Sequence, residues 1–242
     1  MFEPRRAAFQ ERPLIMQKST VAALDQKLIE RIHQQLFVSV LSDMLDAVGY
    51  RNQAFPSRIR CLDEDLMLVG RARTALYHDI YQIEPGKNPY ELEIALVDDL
   101  KPGEVAVFAC GATGRIAPWG GLLTTAALQR GAVGCVTDGC TRDIKAIRKM
   151  KFPVFHGGIA PLDSKGRGAA AAIDVPVECA GVFLKSGDLI VGDADGVVAI
   201  PHEIEGEVLS KAFARIEGEN ATEAALKRGE KLGDVYRRLG VL

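Results

Sequence analysis

The chain has 242 residues, of which 48% are hydrophobic and 26% are charged, and this composition predicts a soluble globular protein with a full apolar core. A formal net charge of −2 gives no electrostatic footprint for nucleic acid, and no apolar run has the length of a membrane span. The five cysteines form no Cys-x-x-Cys pair and mostly lie in apolar runs, which predicts buried thiols in a reducing cytoplasm.

The N-terminal half is predicted to start with an irregular arm over residues 1–20, and a single domain is predicted over residues 21–242. Apolar residues at three-to-four spacing predict helical structure over residues 24–48, in which Ser42 and Asp43 cap a second, short helix. The next predicted elements are a strand-like stretch over residues 59–76 and a helix over residues 90–100.

The central part of the chain alternates between buried strands and helices. The predicted strands cover residues 105–109, 132–137 and 153–155, and the predicted helices cover residues 122–130 and 142–150. This alternation predicts an α/β fold with a parallel, helix-covered layer. The strand over residues 132–137 is predicted to end in a tight turn at Asp138 and Gly139, which brings Arg142 and Asp143 together at a helix start.

In the C-terminal part, the alternation of strands and helices gives way to short strands and then to helices. Short strands and turns over residues 175–200 predict a β-meander. Two amphipathic helices are then predicted over residues 202–219 and 222–229, and a last short helix is predicted in the ending EKLGDVYRRLGVL.

Two neighbouring features indicate a site for a small anion and a hard metal ion. Arg142 offers a guanidinium that grips a carboxylate with two hydrogen bonds, and Asp143 is a ligand of the magnesium type. Gly120 and Gly121 directly precede a helix, whose first amides bind carboxylate or phosphate oxygens. Two simpler interpretations stay open: Asp143 interacts only with its helix dipole, and the glycines only permit close packing.

The segments WGGLLTTAALQRGAVGCVTDGCTRD, VPVECAGVFLKSGDLIVGDADGVVAIP and GEKLGDVYRRLGVL resemble the RraA-like family, over roughly residues 35–242. That family contains 4-hydroxy-4-methyl-2-oxoglutarate aldolases with oxaloacetate decarboxylase activity, and it also contains RraA, a protein inhibitor of ribonuclease E. The resemblance implies a swivelling β/β/α domain with N-terminal helices and a helical C-terminal extension. It also implies a homotrimer or a dimer of trimers, with sites between subunits.

The resemblance assigns roles to individual residues. Asp143 would anchor Mg²⁺ or Mn²⁺ largely through ordered waters, and Arg142 would hold the substrate. The amides of Gly120, Gly121, Leu122 and Leu123 would bind a pyruvate-like carboxylate. Glu219 or Glu217 would reach the site of a neighbouring subunit. The chain departs from the family at Gly121, where aldolase-type members often carry an acidic residue.

The resemblance therefore implies a divalent-metal-dependent carbon–carbon lyase that acts on small α-keto acids and releases pyruvate through a metal-stabilised enolate. The reaction is aldol cleavage of 4-hydroxy-4-methyl-2-oxoglutarate, decarboxylation of oxaloacetate, or both, and Gly121 favours decarboxylation because that reaction needs no base for a hydroxyl proton. The alternative is a non-enzymatic, RraA-like regulator that binds a ribonuclease. A methyltransferase is excluded, because no glycine-rich strand-to-helix turn is followed by an acidic ribose-binding residue.

Overall fold

A computed structural model describes residues 14–15, 21–111 and 114–240 as helices packed around a mixed sheet. The helices are α1 (Gln26–Gln35), α2 (Val38–Ala47), α3 (Glu91–Asp99), α4 (Gly121–Gln129), α5 (Ile144–Met150), α6 (Glu205–Lys227) and α7 (Leu232–Leu239). The strands are β1 (Leu14–Ile15), β2 (Arg60–Cys61), β3 (Leu68–Asp79), β4 (Glu104–Ala109), β5 (Gly134–Thr141), β6 (Val154–Ile159), β7 (Gly168–Ile173), β8 (Val177–Cys179), β9 (Val182–Leu184), β10 (Leu189–Asp193) and β11 (Gly196–Ile200). The predicted α/β class, with N-terminal helices and a helical C-terminal extension, is confirmed.

Strand β3 is the branch point of the main sheet. One of its edges pairs with β4, and β4, β5 and β6 follow in parallel. The other edge pairs antiparallel with β10 along its first half and with β7 along its second half. Parallel neighbours need crossover connections, and α3, α4 and α5 supply them between β3 and β6. The predicted parallel, helix-covered layer is therefore present at the centre of a larger mixed sheet.

The sheet curls until its two ends approach each other. Strand β2 pairs antiparallel with β6 at one end of the sheet. Arg60 in β2 donates from Nη1 to the carbonyl oxygen of Asp195, 3.0 Å away, in the turn between β10 and β11. Ala54 forms an isolated bridge with Val198 in β11. These contacts join the far end of the sheet to the β10–β11 hairpin and make the architecture nearly a closed barrel.

Three apolar clusters fill the molecule. The first packs α3, α4 and α5 against the sheet and includes Phe108, Trp119 and Phe152. The second lies inside the curled sheet, and the third packs α1, α2 and α6 against β10 and β11. Strands β4 and β5 contribute residues to the first two clusters, so they lie between the layer of α3, α4 and α5 and the interior of the curled sheet.

Two helix boundaries differ from the prediction. The N-terminal helical stretch breaks at Leu36 and Phe37 rather than at Ser42, because the amide of Val38 is capped by Asp193 Oδ2 at 2.8 Å, a residue far along the chain. The two helices predicted over residues 202–219 and 222–229 are one continuous helix, α6. Thr222 is buried in it, and tertiary packing of this kind outweighs a locally weak helix propensity.

The predicted turn at Asp138 and Gly139 is wrong. Both residues lie inside β5, which continues to Thr141 with an irregular register between Thr137 and Cys140. Asp138 is buried and accepts hydrogen bonds from the amides of Cys110 and Ala180. Its side chain therefore ties the irregular part of β5 to the end of β4 and to the β8–β9 hairpin, and Arg142 and Asp143 follow the end of the strand instead of a turn.

The predicted N-terminal arm over residues 1–20 lies outside the described residues except for β1, which pairs parallel with β7. Within the described ranges, none of the helices combines the length and the apolar character needed to cross a membrane. All five cysteines are unpaired, and four of them are buried. Burial raises the pKa of the Cys140 thiol, so this residue is a poor nucleophile.

Candidate functional site

The segment that ends in Trp119 runs beside the end of β5 and extends the sheet. Trp119 pairs in parallel with Thr141, and its carbonyl oxygen accepts hydrogen bonds from the Arg142 amide and the Thr141 hydroxyl, both at 3.1 Å. Helix α4 begins two residues after Trp119, and α5 begins three residues after Thr141. The two helix starts therefore lie side by side at one edge of the sheet, where open α/β sheets place their sites.

Trp119 anchors this arrangement. Its side chain is fully buried and its ring stacks on that of Phe152, with 5.9 Å between the ring centroids, while the rings of Trp119 and Phe108 meet edge to face with centroids 5.4 Å apart. The indole Nε1 donates to Thr124 Oγ1 at 2.9 Å, within the first turn of α4. The same tryptophan thus fixes the end of the extended segment and the beginning of the helix that follows.

Asp143 has an unusual backbone conformation and an unusual partner. Its φ of 60° and ψ of 33° are left-handed, a region that aspartate tolerates better than most residues do. The side chain does not cap its own helix; instead Oδ2 accepts a hydrogen bond of 2.9 Å from the Gly121 amide, at the start of α4. The left-handed turn therefore aims the carboxylate across to the neighbouring helix, where the helix dipole favours a negative charge.

Gly120 and Gly121 permit this close approach. A Cβ atom on Gly120 would lie 2.8 Å from Asp143 Oδ2 and 3.2 Å from Arg142 Cγ. A Cβ atom on Gly121 would lie 3.3 Å from Asp143 Cβ, which is tight but less severe. A side chain at either position would therefore push against the two charged residues, and most strongly at Gly120.

The first turn of α4 presents free amides beside Asp143. The Gly121 amide is already bonded to Asp143, and the Thr124 amide bonds to the Gly120 carbonyl. Within the described residues, the amides of Leu122 and Leu123 have no protein acceptor. Of the four amides predicted to bind a carboxylate, these two have the geometry of an anion-binding helix start.

Arg142 is held by the loop between β6 and β7. Its Nη1 donates to the Leu162 carbonyl oxygen at 3.4 Å, and its Nη2 lies 3.7 Å from Asp163 Oδ1. Asp163 also accepts a hydrogen bond of 2.8 Å from the hydroxyl of Tyr90, the residue before α3. Neither Asp163 nor Tyr90 is predicted as a site residue, because neither belongs to a recognisable motif and both are distant in sequence from Arg142.

A second carboxylate, Glu93, lies deeper on the same side and was also missed. It is buried in α3, where its Oε2 accepts a hydrogen bond of 2.8 Å from the Tyr77 hydroxyl. Desolvation, which the charge of Asp163 reinforces and the Tyr77 hydrogen bond and the charge of Arg142 oppose, raises the pKa of Glu93 to about 7. The only sequence signal was an acidic residue at a position where the apolar pattern of α3 predicts a buried side chain.

Two depressions flank Asp143 and Ile144. The first, the α4/α5 groove, has an apolar floor and two lysines at its rim; it is lined by Gly121, Leu122, Thr125, Asp143, Ile144, Lys145, Ala146, Lys149 and Met150. The second, the α5/β6 pocket, is lined by Arg142, Asp143, Ile144, Ile159, Ala160 and Pro161. Leu122 and Ile159 expose 86% and 59% of their surface here, so apolar surface surrounds the charged pair.

The donor set around Asp143 fits a hard divalent ion held by few protein ligands. Asp143 is exposed, and the hydrogen bond from Gly121 occupies only Oδ2. No group of three or more His, Cys, Asp or Glu side chains with metal-binding geometry occurs among the described residues. Mg²⁺ is commonly bound by one or two carboxylates and otherwise by water and substrate oxygens. Asp143 alone therefore suits Mg²⁺ or Mn²⁺ and does not suit a closed zinc site.

Glu217 and Glu219 lie on α6 and line neither depression beside Asp143. Glu219 accepts a hydrogen bond of 2.9 Å from Arg215 Nε, one helical turn earlier. Both glutamates line the α6 groove, together with Gln34, Gln35, Leu36, Phe37, Phe213, Ile216, Asn220 and Glu223. This groove is acidic with an apolar floor, whereas the α4/α5 groove is apolar with a basic rim.

Comparisons with known proteins agree on one family. A family model described as RraA-like, Aldolase/RraA, matches residues 38–199. A protein of Halalkalibacterium halodurans with the name "Putative 4-hydroxy-4-methyl-2-oxoglutarate aldolase" is 37% identical over 186 residues, which are 77% of this chain and 82% of that protein.

Solved structures share the fold over most of the chain. RraAS2 of Streptomyces coelicolor, described as an unusual member of the RNase ES inhibitor RraA protein family, has 25% identity and a TM-score of 0.73, covering 84% of this chain and 98% of that one. A protein described among novel cellulases from gut-associated microbes has 29% identity and a TM-score of 0.76, covering 85% and 90%.

Proposed function

The chain belongs to the RraA-like family, and from this premise we propose that it is a divalent-metal-dependent carbon–carbon lyase that releases pyruvate from small α-keto acids. The observation that carries the proposal is the hydrogen bond from the Gly121 amide to Asp143, since it joins the start of α4 to the charged pair at the start of α5. The free amides of α4 and the guanidinium of Arg142 thereby lie next to the exposed carboxylate of Asp143, which lines both depressions.

Each of these groups has a part in such a reaction. Asp143 would hold Mg²⁺ or Mn²⁺, which when bound polarises the keto group of the substrate as a Lewis acid. The amides of Leu122 and Leu123 orient the substrate carboxylate. Arg142 would hold the substrate by binding the same carboxylate, so its charge contributes to substrate binding more than to the bond-breaking step. These donors are fixed before the reaction, which is the condition for effective electrostatic stabilisation.

Decarboxylation of oxaloacetate is favoured over aldol cleavage. Aldol cleavage of 4-hydroxy-4-methyl-2-oxoglutarate requires a base that removes the C4 hydroxyl proton, whereas decarboxylation releases CO₂ directly and forms the same enolate. Asp143 is the only carboxylate that lines either depression within the described residues, and position 121 is glycine. A carboxylate that holds a divalent ion is a weak base, so we expect the decarboxylase activity to be the higher of the two.

The assembly proposed is a ring of three subunits, or two such rings. The α4/α5 groove has Lys145 and Lys149 at its rim, and the α6 groove has Glu217, Glu219 and Glu223. Two different, complementary surfaces on one chain form head-to-tail contacts, which close into a ring when the rotation permits. In such a ring the acidic part of α6 would lie near the Asp143 of the neighbour, where Glu219 or Glu217 would support the metal site indirectly.

Two other functions are alternatives to the lyase. The similarity to RraAS2 favours a regulator that binds a ribonuclease, and such a role would not depend on a metal or on Asp143. A cellulase function does not fit the site, because glycoside hydrolysis uses two carboxylates that flank one bond, and each depression has one among the described residues.

The test is pyruvate release from oxaloacetate and from 4-hydroxy-4-methyl-2-oxoglutarate, first with Mg²⁺ and then with EDTA. Asp143→Asn keeps the shape of the side chain and removes its charge, and Asp46→Asn, at an exposed position of α2, is the matched control. We expect metal-dependent release that is lost in Asp143→Asn and retained in the control, with the same oligomer size in all proteins. No release from either substrate by a folded, metal-loaded oligomer would contradict the lyase and favour the regulator.

A further inference from the structure

The guanidinium of Arg142 is braced from behind by the loop between β6 and β7. Leu162 accepts a hydrogen bond from Nη1, and Asp163 lies opposite Nη2. A guanidinium has five N–H donors, and the hydrogen bond to Leu162 uses one of them, whereas the 3.7 Å contact with Asp163 is an ion pair. Donors therefore remain for a ligand, while the two contacts with one short stretch of loop limit how the group turns.

Asp163 is itself held in place by two hydrogen bonds, one of them from Tyr90, the residue before α3. The Tyr90 hydroxyl donates to Asp163 Oδ2 at 2.8 Å, and the Lys165 amide donates to Oδ1 at 3.4 Å. Desolvation and the hydrogen bond with Asp163 raise the pKa of Tyr90 to about 12, so its hydroxyl remains a donor at neutral pH. Desolvation opposes the charge of Asp163, but the hydrogen bonds from Tyr90 and Lys165 and the charge of Arg142 outweigh it and lower the pKa of Asp163.

We propose that Asp163, oriented by Tyr90, is a positioning residue that fixes the guanidinium of Arg142 for the substrate carboxylate. The inference rests on the proposed function, since it assigns a role within that site. Arginine has a long side chain, and that of Arg142 is 38% exposed. Without its contacts with Leu162 and Asp163 it would therefore sample several rotamers. Binding an anion would then require ordering the side chain, whereas a guanidinium that is already ordered binds more tightly.

A purely structural role of Asp163 and Tyr90 can be distinguished by experiment from their role in positioning Arg142. The side chain of Asp163 is 36% exposed, and ion pairs at such positions contribute little to folding. The loss of the Tyr90 hydroxyl or of the Asp163 charge should therefore leave the fold intact. What should change is the concentration of anion needed to fill the site, with little change in the rate of the bond-breaking step.

The experiment compares Asp163→Asn and Tyr90→Phe with the wild-type enzyme, with Tyr50→Phe as a matched control at a partly exposed tyrosine remote in sequence. Oxaloacetate decarboxylation with Mg²⁺ gives kcat and KM, and calorimetric titration with oxalate and Mg²⁺ gives the affinity for an unreactive anion. We expect KM and the oxalate Kd to rise about tenfold in Asp163→Asn and about threefold in Tyr90→Phe, while kcat stays within about twofold.

A double-mutant cycle assigns the effect to Arg142. In an Arg142→Lys background, which lacks the fork of donors, adding Asp163→Asn should change the oxalate Kd by less than about twofold. Equal KM and Kd values in wild type and both variants would overturn the positioning role and leave the lyase function standing. Weaker oxalate binding in the variants of a protein without turnover would retain the positioning role and remove the lyase function. Oxalate binding lost equally in both backgrounds, or absent from the wild type, would overturn the inference.

Discussion

Two regions are predicted to serve one site: the corner formed by Arg142 and Asp143, and the acidic stretch of α6 around Glu219. They are built differently. At the corner, a buried tryptophan, a left-handed aspartate and two glycines hold the charged groups against neighbouring backbone. On α6, Glu219 pairs with Arg215 one turn earlier along its own helix. The corner is thus organised within one subunit, whereas the α6 stretch would acquire an organised environment only from a neighbour.

The largest effect is expected from a single methyl group at the corner. In Gly120→Ala the new Cβ overlaps Asp143 Oδ2 and crowds Arg142 Cγ, so both charged groups must move. A displacement of about 1 Å at a reacting group costs on the order of a hundredfold in rate, and we expect a loss of this size in kcat/KM for oxaloacetate.

Gly206→Ala is the matched control for this substitution. Gly206 lies in α6, and a Cβ there meets nothing within 4 Å. Its activity should be unchanged, and its stability should rise by about 0.5–1 kcal/mol because alanine favours the helix. Full activity in Gly120→Ala would show that the close packing of the two helix starts is not needed.

The buried Glu93 beneath the corner should make stability depend on pH. Its pKa of about 7 in the folded protein exceeds the usual value of 4.5, so the unfolded chain loses this proton first as pH rises. Folding is therefore penalised progressively between about pH 4.5 and pH 7, and the penalty reaches about 3 kcal/mol above that range. Glu93→Gln keeps a partner for Tyr77 and removes this penalty.

Thermal unfolding of the wild-type protein and of Glu93→Gln at pH 5 and pH 8 measures this pH-dependent loss of stability. Relative to Glu93→Gln, the wild-type protein should lose stability at pH 8, and Glu91→Gln, on an exposed position of the same helical turn, should behave like the wild type. Titrating histidines affect both proteins equally, so the comparison isolates Glu93. Parallel pH profiles for wild type and Glu93→Gln would refute the raised pKa.

The α6 stretch should matter through the neighbouring subunit. We expect Glu219→Gln to reduce kcat for oxaloacetate about tenfold, the size typical of a group that supports a metal ligand indirectly. Mixing inactive Asp143→Asn with Glu219→Gln under conditions of subunit exchange should raise activity above that of either protein. In a head-to-tail ring, about one quarter of the sites then combine two intact residues. No gain on mixing would place Glu219 outside the site of its neighbour.

The sequence predicts the elements that local patterns determine, and it does not predict those that depend on tertiary contacts. The strands β4, β5 and β6 and the helices between them follow from apolar runs and glycine-rich connections, and Arg142 and Asp143 stand out because they follow such a run. The Asp138–Gly139 dipeptide suggests a turn locally, but buried hydrogen bonds from Cys110 and Ala180 keep Asp138 in the strand. Strand β7, with its run of alanines, has no β-type pattern and forms because β3 offers it an edge.

Residues that support the site but lie far from it in the sequence are not predicted, for the same reason. Tyr90 and Asp163 are 73 residues apart and meet only because α3 and the loop after β6 pack together. The cap of α2 by Asp193 spans 155 residues. Local patterns therefore predict the charged pair itself, whereas its supports depend on tertiary contacts that have no sequence signature.

The smallest effect is expected on α6 itself. Arg215→Ala removes the ion pair with Glu219, whose two side chains are 24% and 28% exposed. Such an i,i+4 pair contributes about 0.3–0.5 kcal/mol, so thermal stability should change little. If Arg215 also holds Glu219 in the direction of a neighbour, kcat should fall by about twofold while stability stays constant. Lys211→Ala, which removes a comparable pair with Glu207 one turn earlier, should leave kcat unchanged and so separates the two consequences.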